Sequence, residues 1–230
     1  GGDYGSEMLI PGYQSQPYPR ATFAAMVVRI DRYVGDIMLK LEALGISENT
    51  LLVFTSDNGA HQEGGADPLF FDSNGPFRGF KRDLYEGGIH VPLVARWPGK
   101  IKAGSQSGHV AAFWDWLPTL ADAIGAASPA GIDGISFLPT LLDAGKQQLP
   151  DHLYWEFHES GGRQALRKGD WKLVKYQVQD ATKTTLELFD LAKDPEERTN
   201  VALDHPALVA ELEGIMQKAH RPNPIFRQLD

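Results

Sequence analysis

Hydrophobic positions recur at helical spacing early in the chain and at strand spacing later. In residues 21–44 apolar side chains return every three or four positions, which predicts an amphipathic helix that packs on a sheet. The apolar runs at 51–55 and 91–97 predict two short strands, and 111–124 predicts a second helix. Residues 56–88 are rich in Gly, Asp, Asn and Pro, and so long a loop in a compact domain is usually functional. This order of elements predicts an α/β sandwich.

After about residue 145 the pattern changes to short apolar runs separated by turns. Four runs and a final amphipathic segment predict a small antiparallel sheet with one helix laid across it. The predicted strands are 152–157, 164–167, 171–176 and 186–191, and the predicted helix is 206–219. We therefore predict an α/β domain at 1–145 and an α+β subdomain at 146–230, which ends in an irregular tail with two prolines.

The composition indicates a globular protein and excludes several functions. The 230 residues are 42% hydrophobic and carry a formal net charge of -8, which leaves no overall basic field to attract nucleic acid. The chain has no cysteine, so disulfides, thiolate metal sites and a cysteine nucleophile are absent from it. No apolar run approaches the length of a membrane span, and no signal peptide opens the chain. Because it begins at Gly1 rather than at methionine, we expect it to be part of a longer protein.

The first predicted strand runs directly into Asp57, Asn58 and Gly59. Such residues are common in tight turns, and a plain turn explains them without a ligand. The alternative is a metal site, because Asp and Asn offer the oxygen ligands that hard cations such as calcium prefer. Ligands of open α/β sheets gather beyond the carboxyl ends of strands, where this triplet is predicted to lie.

A second chemically distinctive stretch is GPFRGFKRDLYEGG, residues 75–88. Arg78, Lys81 and Arg82 concentrate positive charge in an acidic chain, and four glycines allow close backbone approach to a compact anion. A solvated basic loop is the simpler interpretation. The metal candidate lies on the same loop, however, and a cation together with a lysine can hold and polarise a phosphate or sulfate ester.

Several stretches together resemble the C-terminal portion of the type I, formylglycine-dependent sulfatases of the alkaline-phosphatase superfamily. They are TSDNG, GPFRGFKRDLYEGG, FWDWLPTLADAIGA, LYWEF and ALRKGDWKLVKY, and they arrive in the family's order. The resemblance implies the C-terminal part of an alkaline-phosphatase-like α/β sandwich, followed by an α+β subdomain with a four-stranded antiparallel sheet and one helix.

The resemblance also implies roles for individual residues. Asp57 and Asn58 match residues that bind a divalent cation, generally calcium, and Lys81 matches the lysine that contacts the sulfate group. His61 is expected to touch the sulfate ester or its sugar, which makes Lys81 and His61 the catalytic candidates. Arg78 joins them as a candidate for binding substrate, because it adds charge to the same loop.

Two further positions and one absence qualify the match. His90 stands where many relatives have arginine, and Glu86 is expected to orient the loop rather than react. The family's nucleophile is a formylglycine made from a Cys or Ser motif, which this chain lacks. The nearest candidate begins at Ser15, but its arginine falls one position too late, so the segment is interpreted as a linker. We expect the formylglycine upstream, in the remainder of the parent chain, and the fragment alone to be inactive.

The reaction implied for the parent is hydrolysis of an aryl or carbohydrate sulfate to an alcohol and inorganic sulfate. Two alternatives stay open: a metal-dependent phosphatase or phosphodiesterase of the same superfamily, and a non-catalytic sulfatase-like protein that binds sulfated glycans. Trp155, Glu156, His158 and Arg163 are candidates to line a sugar pocket, although strand alternation also predicts some of them in the core. A periplasmic or secreted location is implied by resemblance only.

Overall fold

The computed structural model describes residues 17–63 and 66–224. The chain divides into two compact units that alternate along the sequence. One unit combines Ser56–Val91 and the chain from His152 onward with the residues before Val27, and the other combines Val27–Thr55 with Pro92–Asp151. The domain boundary near residue 145 stays a prediction. Ser15 and the last part of the predicted tail, 225–230, lie outside the described residues.

Within the described residues, helices and strands occur where the hydrophobic pattern predicts them, with three short α-helices and the 3₁₀ helix Ser47–Asn49 in addition. The helices are α1 (Pro19–Ala43), α2 (Pro68–Phe71), α3 (Glu86–Ile89), α4 (Trp116–Ala123), α5 (Leu138–Leu142) and α6 (Pro206–Ala219). The strands are β1 (Leu52–Thr55), β2 (Leu93–Arg96), β3 (Leu153–Phe157), β4 (Arg163–Lys168), β5 (Trp171–Tyr176) and β6 (Thr185–Asp190). The pattern missed α2, α3 and α5 because each has only four or five residues, too few for a helical period.

Helix α1 forms as predicted, and none of its described side chains is fully buried. On the predicted apolar face Val34 and Leu41 are half-buried, whereas Met26, Ile30 and Ile37 are exposed. In the described residues β1 and β2 form a ribbon of only two antiparallel strands, which offers little surface to a long helix. That α1 packs on a sheet stays a prediction. No helix in the described part of the chain is both long and apolar enough to cross a bilayer.

The unit that contains β1 and β2 combines a two-stranded ribbon with a buried aspartate. Leu52 pairs with Arg96 and Thr55 with Leu93 in the antiparallel ribbon. Asp115 is buried beside the start of α4, and its carboxylate accepts the backbone N–H of Ala112 at 2.7 Å and of Ile135 at 2.8 Å. These two hydrogen bonds satisfy donors that burial would otherwise leave unpaired.

The C-terminal sheet has the order β3-β4-β5-β6 with every pair antiparallel, which confirms the predicted small sheet. One face packs against α6, where Leu166, Leu173 and Leu188 of the sheet and Leu212 and Met216 of the helix are buried together. The opposite face buries a second cluster, in which Leu84 and Tyr85 pack on residues of β4, β5 and β6. The sheet is thus covered on one side by a helix and on the other by the loop that precedes and includes α3.

Candidate functional site

The Asp57-Asn58-Gly59 segment turns immediately after β1. Ser56 Oγ donates to Asn58 O at 2.9 Å, and Asn58 Nδ2 donates to Gly59 O at 2.9 Å. The Nδ2 group of Asn58 is thus used within the turn, and its Oδ1 is the atom that could accept or ligate. Asp57 is exposed. The turn therefore presents two side-chain oxygens of the kind a hard cation takes.

Gly59 is required by a close backbone approach. Its N–H donates to Gly88 O at 2.9 Å, and a Cβ at this position would lie 1.9 Å from Gly87 O. No side chain fits in that space. One residue further on, Ala60 O accepts the N–H of Lys81 at 2.7 Å. The segment that follows β1 and the segment that carries Lys81 are therefore joined backbone to backbone.

Lys81 and His61 meet around Glu63. Lys81 Nζ lies 3.8 Å from Glu63 Oε2, and His61 Nδ1 accepts the Glu63 N–H at 3.2 Å. A neutral imidazole whose Nδ1 accepts a hydrogen bond carries its proton on Nε2, so His61 offers a donor at its other nitrogen. Arg82 also forms an ion pair with Glu63. Glu63 thus pairs with both Lys81 and Arg82, and an anion that bound Lys81 would compete with it.

The turn that carries Lys81 is held by its own backbone and by one carboxylate. Asp83 Oδ2 accepts the Phe80 N–H at 2.9 Å, and Gly87 N donates to Arg78 O at 2.7 Å. Gly79 lies at a φ of 86°, a conformation that L side chains rarely adopt. The glycines of this stretch therefore serve tight turns and backbone crossings.

Arg78 lies against the C-terminal sheet. Its NH1 is 3.2 Å from Glu187 Oε2 and donates to Glu197 O at 3.1 Å. Its guanidinium stacks 3.8 Å from the centre of the Tyr85 ring. These contacts account for its position without a substrate, and its part in binding substrate stays a prediction.

Glu86 is a buried hub of charge. Its Oε1 lies 2.8 Å from Lys172 Nζ, and its Oε2 lies 3.1 Å from His90 Nδ1 and 3.8 Å from Arg167 NH1. Burial alone would raise the pKa of Glu86, but the hydrogen bond with His90 and the Lys172 ammonium outweigh it and lower the pKa to about 2. Glu86 is therefore ionised at neutral pH and fixed in place, a geometry that suits an orienting residue.

Two residues of this hub were not found from the sequence. Lys172 and Glu197 are fully buried, and Lys172 Nζ lies 2.8 Å from Glu197 Oε1. Lys172 occupies an alternate position of a strand, where a lysine normally faces water. The sequence does show that Lys172 lies on the same face of the strand as the apolar Val174. That pattern indicates a buried lysine only when it is known which part of the chain covers the face.

The candidates for a sugar pocket do not lie together. Trp155 and Arg163 belong to the face that the Lys81 loop covers, since Trp155 packs on the apolar cluster there and Arg163 NH1 lies 2.8 Å from Asp83 Oδ1. Glu156 is on the other face, where it contacts His158 at 3.4 Å and the Nδ1 of His220 at 2.5 Å. Strand alternation separates the two pairs.

The fit to calcium is partial. No group of three or more His, Asp or Glu side chains placed to hold a metal occurs in residues 17–63 and 66–224. Asp57 and Asn58 fit the chemistry of a calcium site, but calcium takes six to eight oxygens, so donors from elsewhere are needed. The two side chains are suited to contribute to a site rather than to form one.

The chain is similar to known sulfatases over most of its length. The mouse (Mus musculus) arylsulfatase K is 33% identical over 203 residues, which cover 84% of this chain and 34% of the relative. The N-acetylgalactosamine-6-O-sulfatase of Bacteroides thetaiotaomicron is 32% identical over 226 residues, which cover 87% of this chain and 43% of the relative. A protein solved in complex with its substrate D-glucosamine-2-N,6-O-disulfate matches with a TM-score of 0.67 and 27% identity over 84% of this chain and 38% of that one.

The chain thus spans between 34% and 43% of the length of these relatives. Its fold is the mixed α/β fold of the C-terminal part of alkaline-phosphatase-like sulfatases. The family described as N-sulphoglucosamine sulphohydrolase, C-terminal, matches residues 75–221, and the family described as Sulfatase matches residues 7–126. Together these matches cover both the turn after β1 and the whole C-terminal sheet, and the chain belongs to the sulfatase family.

Proposed function

We propose that the full-length protein hydrolyses carbohydrate sulfate esters to an alcohol and inorganic sulfate, and that this chain supplies part of its active site. The observation that carries the proposal is the backbone bond from Lys81 to Ala60, which ties the lysine to the residues just after Asp57 and Asn58. A cation held by the two oxygens and the Lys81 ammonium would then act on one ester group. Sulfated sugar is favoured because the solved relative binds D-glucosamine-2-N,6-O-disulfate.

Each residue has a distinct task in this proposal. Asp57 and Asn58 would provide two oxygen ligands of a calcium ion, whose charge, when it is bound, would stabilise negative charge on the sulfate oxygens. Lys81 exchanges its contact with Glu63 for the sulfate group, and the Nε2–H of His61 donates to a sulfate oxygen or to the leaving oxygen.

The chain by itself is proposed to be inactive, since it lacks a residue that can become formylglycine in the family's motif. The rest of the parent chain supplies that nucleophile and the remaining calcium ligands. It also covers apolar surface that is exposed here, such as Val28 of α1 and Val94 of β2. A periplasmic or secreted location is part of the same proposal.

The test measures sulfate release by the full-length protein from 4-nitrophenyl sulfate and from sulfated monosaccharides. Activity is expected with calcium and is expected to be lost with a chelator. Lys81→Ala and Asp57→Ala should each lower kcat/KM by about 100-fold or more, which is the size of effect expected for a group that stabilises developing charge. The matched surface variants Lys100→Ala and Asp204→Ala should stay within twofold.

Other outcomes identify the alternatives. Faster turnover of 4-nitrophenyl phosphate than of the sulfate would indicate a phosphatase or phosphodiesterase. Binding of sulfated glycan without turnover would indicate a binding role, whether or not the full-length protein carries a formylglycine motif. Full activity of Lys81→Ala would refute the assignment of the lysine in either enzyme.

A further inference from the structure

One face of the C-terminal sheet carries far more charge than a core face normally does. Strand alternation places Arg163 and Arg167 of β4, Lys172 of β5 and Glu187 of β6 on the same side as buried Val174. The other face, against α6, is apolar at its centre. Every one of these four charged side chains contacts the segment 78–90, which carries Lys81.

Lys172 lies at the centre of these contacts. Its side chain has no exposed surface, its Nζ donates to Glu86 Oε1 at 2.8 Å, and it lies 2.8 Å from Glu197 Oε1. Glu197 Oε2 in turn accepts the backbone N–H of Glu86 at 2.5 Å. The ammonium and the second carboxylate therefore hold both the side chain and the backbone of Glu86, the first residue of α3.

The loop that presents Glu197 is itself held firmly. Glu197 lies at a φ of 56°, which is costly for a residue with a side chain. Asp194 accepts the backbone N–H groups of Arg198 at 3.1 Å and Thr199 at 2.8 Å, and Glu197 O accepts from Arg78. Both the carboxylate and the carbonyl of Glu197 are thus directed to the segment that carries Lys81.

Stability alone does not explain a buried ion pair of this kind. The desolvation of buried charges commonly cancels their attraction, so apolar replacements of similar shape are often as stable, and such groups can instead specify one arrangement. We infer that Lys172 is a positioning residue of the sulfatase site: through Glu86 and Glu197 it fixes the segment 78–90 on the sheet and thereby places Lys81 opposite Asp57 and Asn58. The inference rests on the proposed function, because it gives Lys81 a substrate to bind.

The path from Lys172 to Lys81 is short and continuous. Glu86 begins α3, and the next two residues cross the earlier backbone, where Gly87 N donates to Arg78 O at 2.7 Å. Gly88 O accepts the Gly59 N–H at 2.9 Å. A shift of Glu86 would therefore move both the turn that carries Lys81 and the turn that carries the metal candidates.

The experiment uses Lys172→Met and Glu197→Gln in the protein at its full natural length. The control is Lys175→Met, which removes a lysine from the same strand but from the face against α6, where Lys175 pairs with Glu213 at 2.9 Å. Hydrogen exchange is followed by mass spectrometry in peptides that cover 78–90 and, as an internal reference, α6. The values of kcat and KM for 4-nitrophenyl sulfate are measured in parallel.

We expect Lys172→Met to speed exchange in 78–90 by tenfold or more while α6 keeps its rate, and to lower kcat/KM at least tenfold. Glu197→Gln keeps its shape and should act in the same direction by threefold or more, which preserves the test if Lys172→Met does not fold. Lys172→Met leaves the Glu197 carboxylate without its ammonium and should also lower Tm. The double variant Lys172→Met/Glu197→Gln removes that carboxylate as well, so it should recover Tm but not kcat/KM. Lys175→Met should leave exchange in 78–90 and kcat/KM within twofold.

The inference is overturned if Glu197→Gln and any folded Lys172→Met leave exchange in 78–90 and kcat/KM within twofold of the wild type. It is also overturned if α6 and 78–90 loosen together in both variants, or if the double variant recovers kcat/KM along with Tm. If the wild type does not hydrolyse sulfate esters, the proposed function fails, and the exchange of 78–90 decides alone whether Lys172 holds the segment.

Discussion

Replacing Gly59 by alanine tests whether the turn after β1 and the segment before β2 depend on each other. The added Cβ would lie 1.9 Å from Gly87 O, 2.8 Å from its carbonyl carbon and 2.9 Å from Gly88 Cα. All three atoms are backbone, so no side chain can rotate to make room. Carbon and oxygen need a separation of about 3.5 Å. The backbone at Gly59 or at Gly87 must therefore move by about 1.6 Å.

The cost follows from what that movement breaks. Overpacking of this kind costs about 1 to 3 kcal/mol. The hydrogen bond from Gly59 N to Gly88 O, now 2.9 Å, would be lost as well, at about 1 kcal/mol. We expect Gly59→Ala to lower the free energy of unfolding by about 2 to 4 kcal/mol and to weaken calcium binding by the full-length protein.

The matched control is Gly214→Ala. Gly214 lies inside α6 with open space where a Cβ would lie, so alanine should leave stability unchanged or raise it by up to about 1 kcal/mol. Urea unfolding of the full-length protein measures both changes, and calorimetric titration with calcium measures binding. A Gly59→Ala protein as stable as Gly214→Ala, with unchanged calcium affinity, would refute the view that this crossing couples the two segments.

Three further changes test other contacts of the Lys81 loop. Arg78→Lys keeps the charge but loses the stacking on Tyr85 and the guanidinium hydrogen bond to Glu197 O, and urea unfolding should show a loss of about 1 kcal/mol; no loss would mean that neither contact contributes. Glu86 has a pKa lowered from 4.5 to about 2, so its contribution of about 3 kcal/mol is present above pH 4.5 and disappears as the pH falls to 2. Stability of Glu86→Gln should therefore fall less over that range than stability of the wild type, and parallel curves would contradict this. Asn74 Nδ2 donates to Gly79 O at 3.0 Å, so Asn74→Ala should speed hydrogen exchange in 75–79 several-fold, whereas unchanged exchange would show that the glycine turn holds itself.

The parts of the fold that follow from local pattern were predictable from sequence. α6 and β5 occur at the predicted bounds because an amphipathic period and an alternating run each leave a signal within one element. The short helix α2 left none: it forms because Asp67 Oδ1 accepts the Phe70 N–H at 3.0 Å and Pro68 starts the turn, a local cap rather than a period.

In the candidate site, too, local features could be predicted from the sequence and long-range contacts could not. Asp57, Asn58 and Lys81 could be selected because each lies in a short stretch of residues that resembles a family motif. The burial of Glu86 could not, since it depends on Lys172, 86 positions later in the chain. Sequence spacing carries no information about which distant strand will cover a loop, so the residue that neutralises a buried carboxylate is visible only once the sheet is in place.

The segment that carries Lys81 is held in place by contacts with parts of the chain that are distant in sequence. Loops are usually the least stable parts of a fold, yet the segment that carries Lys81 packs its own Leu84 and Tyr85 on the C-terminal sheet and is hydrogen-bonded through Gly88 and Lys81 to the turn after β1. A lysine on a flexible four-carbon stem can bind a sulfate group in many geometries, and only a fixed backbone restricts them. If Lys81 binds sulfate as proposed, the charged face of the C-terminal sheet supplies that restriction through Arg163, Arg167 and Lys172, and these residues act on the site without touching the substrate.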